Sequence, residues 1–199
     1  MRKVVIIQME FEWALYLIAS YLVGCIMTGF LVAKLIKGVD LRLLGSGNIG
    51  ARNAGRVLGP SGFVLTLAGD ILKAAAVVWA GIQFQYPPYI QLLGFLAVIL
   101  GHLYPIFLRF HGGKGVASFI GGMIIFHPIS AVLVAAAFLL FYGIKRSLTV
   151  AGLFAFALTP FFYWLFEKQW LETLLLIPIS FLVVYVQKED IKERIKLTE

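Results

Sequence analysis

Residues 61–83 read SGFVLTLAGDILKAAAVVWAGIQ, and within them only Asp70 and Lys73 carry charge. Wound as an α-helix at 1.5 Å per residue, this stretch reaches roughly 34 Å, enough to cross a hydrocarbon layer about 30 Å thick. Each charge near the middle of such a helix costs roughly 2.5–3.5 kcal/mol on insertion scales. A three-residue spacing places Asp70 and Lys73 on one helical face, where they can pair, either bracing a bundle or serving a site. Working outward, six further apolar segments follow the same logic: 13–36, 87–108, 116–126, 128–144, 148–166 and 170–186. The segment at 116–126 is too short to span comfortably and reads as a short helix docked within a bundle.

The whole composition agrees. Of 199 residues, 61% are hydrophobic and 14% charged, with a mean hydropathy of +0.93. Soluble domains carry about 45–50% apolar and about 25% charged residues. The expected fold is therefore an all-α integral membrane protein, a bundle of about seven transmembrane helices with one of them short. It reads as a single membrane domain over 1–199. Cys25 is the sole cysteine, so neither a disulfide framework nor a cysteine metal cluster is available. The start, Met1-Arg2-Lys3 followed by apolar residues, is similar to a signal peptide. Glu10 and Glu12 interrupt the run and no small-residue cleavage site follows, so retention is expected.

The net charge of +7 is clustered. Lys34, Lys37, Arg42, Arg52 and Arg56 lie between the first two segments, Arg109 and Lys114 after the third, Lys145 and Arg146 after the fifth, and Lys188, Lys192, Arg194 and Lys196 in the tail. The opposite connections hold only Arg2, Lys3 and Lys168. The positive-inside rule then places the amino terminus outside and the glycine-rich loops and the tail 187–199 in the cytoplasm, an odd number of crossings. Charge distributed this way serves membrane topology and anionic substrates rather than nucleic acid. The tail alternates charged and apolar residues and reads as a solvated terminal helix.

Chemistry concentrates in two cytoplasmic stretches. In the loop 38–60, positions 45–59 read GSGNIGARNAGRVLG, five glycines in fifteen residues, where average usage near 7% gives about one. Glycine backbone can approach a ligand closely and expose successive N–H groups as an anion nest, and Arg52 and Arg56 add full charges, so phosphate is the natural guest. Residues 45–50 also match G-x-G-x-x-G, but they follow a membrane span and a charged linker rather than a strand opening a βαβ unit, which excludes a dinucleotide fold. The bland alternative is a flexible connector. The second stretch, 101–117, reads GHLYPIFLRFHGGKGVA. Its loop 109–115 displays Lys114 on a glycine turn, and it is not a Walker A motif because Gly115 follows the lysine. His102 reads equally as a ligand-binding or a satisfied buried histidine. A third polar point is Lys145-Arg146-Ser147-Leu148-Thr149, where Thr149 can meet a polar ligand or start a helix.

Absences narrow the reaction. The residues five beyond His102, His111 and His127 are Phe107, Val116 and Val132, so the His-x4-Asp pattern of thioester-dependent acyltransferases does not occur. No zinc signature occurs, so neither metal nor cofactor is expected. The residues offer cations and hydrogen-bond donors with few bases, which suits a reaction that holds anions and stabilises developing negative charge.

The blocks VDLRLLGSGNIGARN with Arg56, and GHLYPIFLRFHGGKGVA, resemble the bacterial acyl-phosphate:glycerol-3-phosphate acyltransferases (PlsY-type), and the stretch LTLAGDILK at 65–73 is similar to that family too. The resemblance implies a multi-pass enzyme of the bacterial cytoplasmic membrane. It would move a fatty acyl group from acyl phosphate to the 1-hydroxyl of glycerol 3-phosphate, with no obligatory protein partner. It implies that Arg56, Lys114 and Thr149 form the catalytic set, Arg56 and Lys114 binding phosphate groups and Thr149 contacting glycerol 3-phosphate. Ser46, Gly47 and Asn48 would hold the acyl phosphate, with Asn53, His102, Gly112 and Gly113 also lining the substrates. It implies no protein nucleophile, a substrate phosphate helping to take the acceptor proton. Three positions depart from the family pattern: Arg52 stands where threonine is usual, and Gln187 and Asp190 replace a histidine and an asparagine associated with the acceptor.

Overall fold

The computed structural model of the chain describes residues 2–187, with side chains from residue 7 onward. The expected tail helix lies outside the described residues. Among them the structure is all-helical, and the chain packs as two compact units, the first ending at Gly122 and the second beginning at Met123.

The first unit contains α1 (Arg2–Gly24), α2 (Thr28–Lys37), α3 (Ala51–Leu58), α4 (Pro60–Gln83), α5 (Pro88–Leu103) and most of α6 (Val116–Phe126). Among the described residues, five helical stretches are long and apolar enough to cross a membrane: Ile7–Lys37, Pro60–Gln83, Pro88–Leu108, Pro128–Lys145 and Leu148–Glu167. Val116–Phe126 and Trp170–Tyr185 are shorter apolar helices. On α1 the apolar side chains Phe11, Leu15, Ile18 and Leu22 are exposed at three- and four-residue spacing, while Tyr16, Ser20 and Gly24 are buried. An apolar outer stripe on a helix of this length faces lipid, and the buried face carries the packing.

Lipid gives no hydrophobic drive between helices, so close packing through small residues replaces it. At the crossing of α1 and α5, a Cβ on Gly24 would overlap the Val98 carbonyl oxygen and one on Gly101 the Tyr21 carbonyl oxygen. Tyr16 fills the space left by Gly81 and Gly94 and donates to the Val77 carbonyl at 3.0 Å. Gly121 and Gly122 of α6 lie against the Ile71 backbone and the Phe95 ring.

One expectation needs revision. The segment 13–36 reads as a single helix, yet the chain breaks between Gly24 and Thr28, dividing it into α1 and α2. The local sequence Gly24-Cys25-Ile26-Met27 shows no proline. The break is held from outside, by the Lys73 side chain bonding to carbonyls that the interruption frees.

The second unit holds α7 (Pro128–Lys145), α8 (Leu148–Ala157), α9 (Thr159–Glu167) and α10 (Trp170–Tyr185). His127 caps α7 by accepting from the Ser130 amide at 3.2 Å, and its Nε2 lies 3.0 Å from Glu167 Oε1. The segment 148–166 is also divided, at Leu158, because Pro160 has no N–H to continue the ladder. Lys168 ends α9 in the left-handed region and stands 4.0 Å from the Trp164 ring centroid.

Candidate active site

The first glycine loop is a folded object rather than a connector. Gly38, at φ +68°, closes α2, and Asp40 begins a short 3-10 turn, Leu41–Leu43, accepting the Arg42 amide at 3.0 Å and the Arg42 guanidinium at 2.7 Å. The Arg42 guanidinium holds the Asp40 carboxyl below the usual carboxylate range. Ala33, Leu41, Ala54 and Leu58 form a small buried cluster that ties α2, the turn and α3 together beneath the loop.

Asn53 organises what stands above that cluster. The residue is 1% exposed. Its Nδ2 reaches the carbonyls of Leu44 and Asn48 at 2.9 Å each and of Leu41 at 3.2 Å, while its Oδ1 accepts the Ser46 amide at 2.9 Å. A Cβ at Gly45, whose φ is +60°, would collide with that Oδ1, so glycine is required there on two counts. Gly47 also sits at positive φ, +71°. The loop delivers the chain to Gly50 and starts α3, where the Asn53 and Ala54 amides return to the Gly50 carbonyl at 3.1 Å each, leaving the N–H groups of Ala51 and Arg52 without an intrahelical acceptor at the loop end. About a third of the loop 38–60 is therefore α-helix, the eight residues of α3. Its sequence ARNAGRVL is bounded by Gly50 and by Gly59 at φ +82°, before Pro60 opens α4. Arg52 and Arg56, four apart, are both exposed on α3.

The second loop folds back on the end of α5. The Gly113 amide donates to the His102 carbonyl at 3.0 Å. A Cβ on Gly112 would overlap the His102 carbonyl oxygen, and one on Gly113 would overlap Nε2 of the His102 ring. Only glycines allow the Lys114 loop to lie this close, and Lys114 itself is half-buried. Arg109 and Phe110, at φ +54° and +61°, make the reversal that leads into it.

Between the loops lies a buried polar cluster. Lys73 Nζ is 3.0 Å from Asp70 Oδ1 and donates to the carbonyls of Gly24 at 3.1 Å and Ile26 at 2.8 Å. Thr28 Oγ1 donates to the same Asp70 oxygen at 3.2 Å, and His102 Nδ1 stands 3.6 Å from it.

The structure thus joins Ser46, Asn48 and Asn53 in one hydrogen-bonded loop, and His102, Gly112 and Gly113 in another. Asn53, expected to line substrate, spends its amide on the loop backbone. His102, also expected there, is 2% exposed and buried against Gly113. Thr149 lies in the second unit, buried in the first turn of α8 behind Ser147, whose hydroxyl accepts the Val150 amide at 3.4 Å. Gln187 donates its amide to the Val183 carbonyl at 3.2 Å, and Asp190 lies outside the described residues. Sequence reasoning did not single out Thr28 and Gly29. Their polarity and size inside an apolar run, beside a buried carboxylate on another segment, were the only signals.

Fold and site define a class: an α-helical integral membrane protein in which two glycine-rich loops, one bearing α3 with its exposed arginines, fold closely against helix ends. A sequence profile described as glycerol-3-phosphate acyltransferase matches residues 14–197. The chain is 42% identical over 175 residues to glycerol-3-phosphate acyltransferase 1 of Bacillus cereus, covering 88% of this chain and 96% of that one. It is 44% identical over 177 residues to the glycerol-3-phosphate acyltransferase of Geotalea daltonii, covering 88% and 90%. The crystal structure of PlsY (YgiH), an integral membrane glycerol 3-phosphate acyltransferase, in its glycerol 3-phosphate form, superposes with a TM-score of 0.86 at 32% identity, covering 94% of each chain. Its lysophosphatidic acid form gives 0.84 at 31%. The chain belongs to the glycerol-3-phosphate acyltransferase family.

Proposed function

We propose that this membrane acyltransferase takes its acyl group from acyl phosphate and delivers it to the 1-hydroxyl of glycerol 3-phosphate, giving lysophosphatidic acid and inorganic phosphate in phospholipid synthesis. The observation that carries the reading is the loop 45–50. Asn53 folds it onto the N-terminus of α3, which also displays Arg52 and Arg56. Such an end gathers amide donors, partial positive charge and guanidinium groups for a phosphate. Ser46, Gly47 and Asn48 hold the acyl phosphate at this end, and Arg56 and Lys114 neutralise phosphate oxygens.

At an effective dielectric near 20, one cation about 4 Å from a unit of phosphate charge contributes roughly 4 kcal/mol of attraction before desolvation is subtracted. Two phosphorylated substrates therefore call for several cations. In the reaction the acceptor hydroxyl oxygen bonds to the acyl carbon. The bond from that carbon to the phosphate oxygen breaks, phosphate departs with the electron pair, and a phosphate oxygen takes the hydroxyl proton. No protein nucleophile is required, consistent with a chain that offers cations and few bases. The carbonyl oxygen and leaving phosphate accumulate negative charge in the transition state, where the preorganised donors act. The loops face the cytoplasm, so glycerol 3-phosphate arrives from water and the acyl chain stays in lipid.

The test is turnover by purified protein in lipid mesophase with palmitoyl phosphate and labelled glycerol 3-phosphate, palmitoyl-CoA serving as the control donor. Lysophosphatidic acid formed with acyl phosphate alone supports the proposal. Product formed from the thioester alone overturns the donor assignment.

A further inference from the structure

Asp70 and Lys73 belong to neither glycine loop, yet contacts run from one loop to the other through them. A Cβ on Gly29, in the first turn of α2, would overlap the Ile49 carbonyl oxygen, so α2 abuts the first loop directly. The neighbouring Thr28 donates to Asp70. Asp70 pairs with Lys73, which holds the Gly24 and Ile26 carbonyls at the break preceding α2. On its other side Asp70 approaches the His102 ring, against which Gly113 of the second loop is seated. Asp70 and Lys73 are both buried, at 2% and 8% exposure.

The Lys73 ammonium has three N–H donors, and its three neighbours are two backbone carbonyls and one carboxylate oxygen. A helix interrupted inside a membrane leaves carbonyls that must find a partner, and bound cations can serve such carbonyls. Here a cation is attached to the chain. We propose that Asp70, Lys73 and His102 are positioning residues that fix the spacing of the two substrate-holding loops, with the Lys73 ammonium acting as a tethered cation in the break between α1 and α2. The inference rests on the functional reading above and extends it to residues outside the loops.

The test uses full-length protein in lipid mesophase and begins with Lys73→Ala. This change leaves a space that a small alkylammonium ion can enter, whereas Lys73→Met fills it with an apolar chain. We expect KM to rise tenfold or more for both substrates in each variant. Millimolar ethylammonium should restore Lys73→Ala by at least fivefold without restoring Lys73→Met. Should either variant fail to elute as folded protein, Asp70→Asn/Lys73→Met removes both charges together and is read in the same way. Wild-type KM values in that double variant overturn the proposal, as does a change confined to one substrate. If wild-type protein shows no turnover with acyl phosphate, the donor reading fails on its own. The positioning role is then judged by thermal shift with glycerol 3-phosphate and with inorganic phosphate. Equal shifts in wild type and double variant overturn it, and smaller shifts in the variant support it.

Discussion

Asn53→Leu is the sharpest perturbation of the first loop, because leucine approximates the shape of asparagine while removing every polar contact it makes. The two Nδ2 hydrogens serve the carbonyls of Leu44 and Asn48 at 2.9 Å, with Leu41 at 3.2 Å a weaker third acceptor, and Oδ1 accepts from Ser46. Three principal hydrogen bonds at about 1 kcal/mol net apiece make about 3 kcal/mol, on the order of a hundredfold in the population of the folded loop. That is an upper figure, since Ser46 is exposed and Asn48 half-buried, so water can replace part of what is lost. We therefore expect the KM for acyl phosphate to rise between about tenfold and a hundredfold, with kcat largely recovered at saturation. The assay is initial-rate lysophosphatidic acid formation with palmitoyl phosphate varied and glycerol 3-phosphate saturating, beside the thermal midpoint of the purified protein. A KM within twofold of wild type would refute the reasoning, because the loop would then be held by something other than this amide.

Arg56→Ala and Lys114→Ala should each lower kcat/KM at least a hundredfold in protein that still inserts and elutes normally, measured with the same product assay. Gly113→Ala should cost tenfold or more in activity because its methyl group meets the buried His102 ring. Gly143→Ala, in helix α7 with nothing within 4 Å of the new methyl, should instead raise thermal stability by about 0.5–1 kcal/mol and leave turnover unchanged. Asp40→Asn should lower the thermal midpoint near neutral pH. Arg42 depresses the Asp40 pKa in the folded state, so the carboxylate's contribution is fully present above its unfolded value of about 3.9 and fades as pH falls through the lower folded value. The midpoints of wild type and variant, followed from pH 7 down to about 3, should converge only at the acidic end; a constant gap would show that the charge of Asp40 contributes nothing.

The sequence was most informative where one residue type has one physical use. Uninterrupted apolar runs dictate membrane helices because lipid offers the backbone no partners, and the five long stretches fall on them. The 11 residues of Val116–Phe126 fall short of a span in the structure as their number implies. The clustered glycines were legible as close-approach points, and Gly45, Gly112 and Gly113 have no room for a Cβ. The break at residues 25–27 was not legible, because its cause lies 47 to 49 positions away in Lys73. Nor did the sequence tell that Asn53 bonds to the loop carbonyls and that His102 is buried against Gly113, since a polar residue beside a glycine loop looks the same whether it faces a ligand or the backbone. Only burial and partners distinguish the two.

The buried pair also allows stability and activity to be separated. Two charges inside a membrane helix cost roughly 2.5–3.5 kcal/mol each on insertion scales, and replacing a buried ion pair by neutral groups of similar volume is often neutral or stabilising. Were Asp70 and Lys73 to have no part in placing the loops, the double variant Asp70→Asn/Lys73→Met would be tolerated in stability and activity alike. The chain nevertheless places this pair where α2, the first loop and the His102 end of the second loop converge. In the proposed reaction, governed by placement of two phosphorylated substrates, a displacement of about 1 Å can cost a hundredfold in rate. The gain from removing two charges is offset by the Gly24 and Ile26 carbonyls that lose their donor, so the double variant is expected to unfold close to the wild-type temperature while its kcat/KM falls tenfold or more. A parallel loss of stability and activity would instead assign the pair to holding the fold.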